Sequence, residues 1–82
     1  MKYFTIEYRH SPLRFFTMGD DHAHAARVCK QEIERLLDSE ITDGDWLTVC
    51  ELEGRADGQV CHLQDVVLHW STEKRNFINK KA

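Results

Sequence analysis

Between residues 21 and 38 the apolar residues Ala25, Ala26, Cys29, Ile33, Leu36 and Leu37 recur at spacings of three, four and seven. That is one face of an amphipathic helix. On either side the period drops to two. A single helix flanked by alternating segments can bury its stripe only against a sheet, which fixes the fold class as α+β. Asp20 or Asp21 would cap the helix, since both carboxylates suit its positive end. Ile33 and Leu36 sit at the centre of the stripe and are expected to be buried.

Four strands are expected around that helix. Residues 3–9 place Phe4, Ile6 and Tyr8 on one face and Tyr3, Thr5, Glu7 and Arg9 on the other. Pro12 breaks the run. A second strand at about 13–18 sets Leu13, Phe15 and Thr17 opposite Arg14, Phe16 and Met18, closing a hairpin. After the helix, Thr42-Asp43-Gly44-Asp45 reads as a turn. A third strand covers about 46–53, and a fourth starts near Gln59 and extends toward Trp70. Ala56-Asp57-Gly58 suits a type I turn closed by a left-handed glycine. A loop at 54–57 would set Cys50 opposite Cys61, whereas a three-residue loop at 56–58 would not. Residues 71–82 form a basic tail or a short terminal helix over 72–80, anchored by Phe77 and Ile78. The expected architecture is strand-strand-helix-strand-strand: one domain over 1–82, with one helix on a four-stranded, mostly antiparallel sheet.

Eighty-two residues with 41% hydrophobic and 30% charged content suit one small globular domain. No apolar run reaches the ~20 residues needed to span a bilayer. MKYFTIEYRH interrupts its apolar residues too often for a signal-peptide core, so a cytoplasmic location is expected. Three cysteines, Cys29, Cys50 and Cys61, lack the spacing of a disulfide framework.

Charge is distributed unevenly. Residues 20–65 hold twelve Asp or Glu against Arg27, Lys30, Arg35 and Arg55, a local balance of −8, while both flanks are basic. Such a middle attracts basic partners and repels nucleic acid. Tyr3, Phe4, Phe15, Phe16 and Trp46 could stack on bases, but the central charge opposes phosphate, and only Lys74, Arg75, Lys80 and Lys81 offer cations at the end. If the 42–45 and 54–58 turns lie at opposite ends of one hairpin, Asp43, Asp45, Glu51, Glu53 and Asp57 form an acidic strip along it. Trp46 or Trp70 would add an aromatic anchor.

Other chemistry has less support in the spacing. His22 and His24 beside Asp20 and Asp21 are metal-ligand types. Two residues apart on a helix they diverge by roughly 200°, so a shared ion needs a helix that begins later. Cys50, Cys61, His62 and His69 lack the paired spacing of a structural zinc site. No cofactor or metal is expected. A small metal-dependent enzyme using His22 and His24 stands as an alternative. So does a homodimer, because the third strand is apolar on both faces and one helix covers only one. The terminal segment or another subunit would have to cover the second face.

The opening MKYFTIEY strand, the HAHAARVCKQEIERLL helix and the DWLTVCELEG strand give a size, layout and acidic middle similar to small proteins of phages and other mobile elements. In particular they resemble anti-CRISPR proteins and related host-defence inhibitors. Small antitoxins and phage accessory proteins share the same look. The group is defined by activity and has no common motif. The resemblance implies a single domain that binds a nucleic-acid-handling complex at a basic surface and blocks access of DNA.

Overall fold

The computed structural model describes residues 1–79. Its elements are β1 (Lys2–Tyr8), β2 (Arg14–Gly19), α1 (His22–Leu37), β3 (Trp46–Gly54), β4 (Val60–Ser71) and β5 (Asn76–Ile78). The strands form one five-stranded sheet in the order β2-β1-β3-β4-β5. All four ladders are antiparallel. No helix among the described residues is long and apolar enough to cross a membrane.

The helix starts where Asp21 caps it. The Asp21 carboxylate accepts from the backbone N–H of His24 at 2.8 Å. It ends at Asp38, whose left-handed backbone turns the chain out of the helix. Glu34 ties that exit down. Its carboxylate accepts from the Ile41 N–H at 2.8 Å and from Lys30 Nζ at 3.1 Å. Burial alone would raise its pKa, but these two donors outweigh it and hold the carboxyl below its ordinary value.

The core lies between α1 and one face of the sheet. Phe4 and Ile6 of β1, Phe15 of β2, Leu47 and Val49 of β3 and Leu68 of β4 meet Ala25, Ala26, Cys29 and Ile33. The alternation read in β1 and β2 is the alternation observed. Gly19 is required there, because a Cβ would come within 2.8 Å of the Ala25 nitrogen.

Three expectations need correction. The sheet has a fifth strand, because residues 72–75 turn the chain and 76–78 pair with 69–71. Thus 72–79 is neither a helix nor a tail, and Phe77 is buried, 1% exposed. Residues 80–82, with Lys80 and Lys81, lie outside the described residues. Second, Leu36 is 54% exposed while Ile33 is fully buried. The helix reaches across the sheet from β2 to β5. Near its start it buries the Ala25 side against β2. In its last turns the half-buried residues are Lys30, Glu34 and Leu37, and Leu37 lies about 100° round the helix from Leu36.

Third, the terminal segment does not cover the second apolar face of β3. Leu47 and Val49 belong to the core, while Cys50 and Leu52 lie on the opposite face. β5 extends the sheet sideways and does not cover that face. The 54–60 turn resolves the open register. Gly54 pairs with Val60, and Gly58 adopts a left-handed φ of 86°. The three-residue loop is therefore the one adopted. Cys61 faces Glu53, and a bulge between Cys50 and Leu52 sets Cys50 opposite Asp65.

Candidate functional site

The strand geometry separates the acidic residues into two groups. β3 is nine residues long, so the 42–45 and 54–58 turns stand roughly 27 Å apart. Asp45, Leu47, Val49, Glu51 and Glu53 share one side of the strand by its period of two. Leu47 and Val49 lie buried beneath the helix. The acid on that side is therefore interrupted at its middle by the core.

Asp45 points inward and is 6% exposed. It accepts from the Thr42 N–H at 3.0 Å and from the Tyr8 hydroxyl at 3.3 Å, and it forms an ion pair with Arg9. Its backbone carbonyl accepts from the Trp70 N–H at 2.7 Å. The carboxylate ties the start of β3 to the β1 hairpin, and the backbone carbonyl ties it to β4. Asp43, beside it, is exposed and accepts from the Thr72 N–H at 2.8 Å. Trp46 is half-buried on the face opposite the helix, with the His10 ring edge-on at 5.1 Å. Trp70 instead packs against the core, between Lys30 and Phe77.

The other group sits at the far end. Every residue from Glu53 to Val60 is exposed, so the β3–β4 hairpin projects past the core. Glu53 and Asp57 form no ion pair among the described residues. Among the described residues the Asp57 carboxylate accepts from the Gln59 N–H alone, at 3.0 Å. Arg55, the one cation of the tip, directs a guanidinium nitrogen at Cys61 Sγ, 3.2 Å away. Glu51 lies further back, 3.9 Å from Lys2 Nζ.

The histidine candidates do not converge. His22 is the first residue of α1 and packs its ring edge-on against Phe4 at 5.0 Å. His24 Nδ1 accepts from the Asp20 N–H at 2.9 Å. The helix thus begins too early for the two imidazoles to share an ion. His62 pairs with Leu52, and His69 with Trp46, seven residues along the same strand. No group of three or more His, Cys, Asp or Glu that could hold a metal occurs among the described residues. Cys29 is buried, which pushes its thiol up to about 11, with Glu32 adding to the rise. Burial also raises the Cys50 thiol, as does Asp65 beside it.

Sequence reasoning missed the outer face of the sheet as a connected surface. Three cross-strand rows run across it: Met18–Tyr3–Leu52–His62, Phe16–Thr5–Cys50–Asp65 and Arg14–Glu7–Thr48–Val67. Phe16 is 70% exposed and Tyr3 52%, and a cleft of about 220 Å³ opens over Thr5, Glu7, Thr48 and Cys50. Arg14, the cation of these rows, lies 3.2 Å from Glu7. Of the aromatics considered for base stacking, Phe4 and Phe15 are in the core. The alternation signalled which residues share a face, but not which strands are neighbours.

Comparison with protein-family models, with curated proteins and with solved structures finds no match to the chain.

Proposed function

We propose that this chain is a non-enzymatic protein-binding module that acts in the cytoplasm as an inhibitor of the kind carried by phages and other mobile elements. Its acidic hairpin docks on a basic surface of a nucleic-acid-handling host complex. The partner is a protein surface and not nucleic acid itself, which the acid would repel.

One observation carries this reading. The β3–β4 tip stands clear of the core with every residue from 53 to 60 exposed, and Glu53 and Asp57 have no ion pair among the described residues. Carboxylates in that position are free to meet a cation on another molecule, where complementarity raises the association rate and suppresses wrong partners. Glu51 behind the tip and Asp43 at the far turn extend the charge. Asp45 does not take part, because its carboxylate is occupied by Arg9, Tyr8 and Thr42.

The experiment is capture from a lysate at low and high salt, using the intact chain and a Glu53→Gln/Asp57→Asn variant. The expected result is a nucleic-acid-handling complex retained by the intact chain at low salt, lost at high salt, and retained poorly by the variant. Added DNA should compete with the intact chain for it. Equal capture by both proteins, or capture indifferent to salt and DNA, would contradict the proposal.

A further inference from the structure

β2 is an edge strand with little to discourage pairing. It stands first in the sheet order, so one side of its backbone has no neighbouring strand among the described residues. Its ladder with β1 runs without a bulge from Lys2–Gly19 to Glu7–Arg14. Arg14–Gly19 contains no proline, and its single charge is at its first residue. Edges are commonly blunted by proline, bulges or inward charges, and this one has none of them. The opposite edge, β5, is only three residues long.

We propose that the free edge of β2 pairs antiparallel with β2 of a second copy of this chain, about a two-fold axis between the two Thr17 residues. The surface is separate from the hairpin tip, and the proposal does not rest on the acidic reading. Side-chain identity selects the register. With Thr17 on Thr17, Arg14 faces Asp20 of the second copy and Phe16 faces Met18, each contact occurring twice by symmetry. Phe16 on Phe16 would leave Arg14 against Met18. Met18 on Met18 would set Phe16 against Asp20. Only the Thr17-centred register joins opposite charges and apolar side chains together.

Both charges are available for it. The Arg14 side chain is 68% exposed and that of Asp20 77%. Arg14 already lies 3.2 Å from Glu7, and its guanidinium has donors enough to bridge Glu7 and the second copy's Asp20. Pairing also joins the outer faces. The row Leu52–Tyr3–Met18 continues into Phe16 of the second copy, so the most exposed aromatic of the face gains apolar neighbours.

Sedimentation of the full chain over a concentration series tests this. The mass should rise with concentration from 9.7 kDa toward twice that value. Arg14→Asp and Asp20→Arg each set like charges across the axis twice, and should weaken self-association by about tenfold or more. The double variant, with the charges exchanged, should recover it. Circular dichroism verifies that each variant is folded. Phe16→Glu, which leaves the helix cap untouched, should weaken association as well. A chain that stays monomeric at every concentration overturns the proposal. So does a dimer that ignores the single reversals or fails to return in the double variant.

Discussion

At Asp45 a carboxylate, a guanidinium, a phenol and a backbone N–H meet where β1 and β3 come together. The carboxylate is almost wholly buried, whereas the Arg9 side chain is half exposed. Asp45→Asn would therefore leave Arg9 able to reach water but would remove the charge that Thr42 and Tyr8 also bond. The expected loss in a urea titration is about 1–3 kcal/mol. Glu53→Gln, at the projecting tip, should stay within about 0.5 kcal/mol. Equal effects at the two positions would mean that Asp45 is not the anchor described. Two acids eight residues apart look alike in the sequence and differ in role because Arg9 lies 36 positions away from Asp45. No local pattern encodes that partner.

Among the elements, α1 separates what periodicity reveals from what it cannot. Its period fixed the helix and the burial of Ala25, Ala26, Cys29 and Ile33. The exposure of Leu36 depends on how the helix lies across strands far away in the chain. Ile33→Ala should cost roughly 2–5 kcal/mol, while Leu36→Ala should change stability by no more than about 0.5 kcal/mol. The ratio is read by thermal or urea unfolding, and a reversed order would contradict this placement of the helix. β1 to β4 were legible for the same reason, since alternation and turn residues are local. β5 was not, because three residues carry too little pattern. The bulge beside Cys50 was equally hidden, because it depends on how β4 aligns with β3. The 56–58 turn lay between: its glycine was readable, yet its register became definite only once Gly54 and Val60 were paired.

On the scale of the whole molecule, one helix covers one face of a five-stranded sheet and leaves the outer face, the β2 edge and the β3–β4 tip uncovered by it. The sequence charge balance predicted an acidic strip. In the fold, Leu47 and Val49 interrupt that strip, and Asp45 is withdrawn from it. What remains exposed is Asp43 at one end and Glu53 and Asp57 at the other, with Glu51 only partly accessible behind the tip. These carboxylates are proposed to guide the protein to a basic partner. The most direct measurement is the association rate between the captured partner and a variant with Asp43→Asn, Glu51→Gln, Glu53→Gln and Asp57→Asn, across a salt series. The variant should remain folded, associate more slowly at low salt, and show a shallower dependence of rate on salt than the intact chain. A folded variant with the same rate and the same salt slope would contradict the proposal.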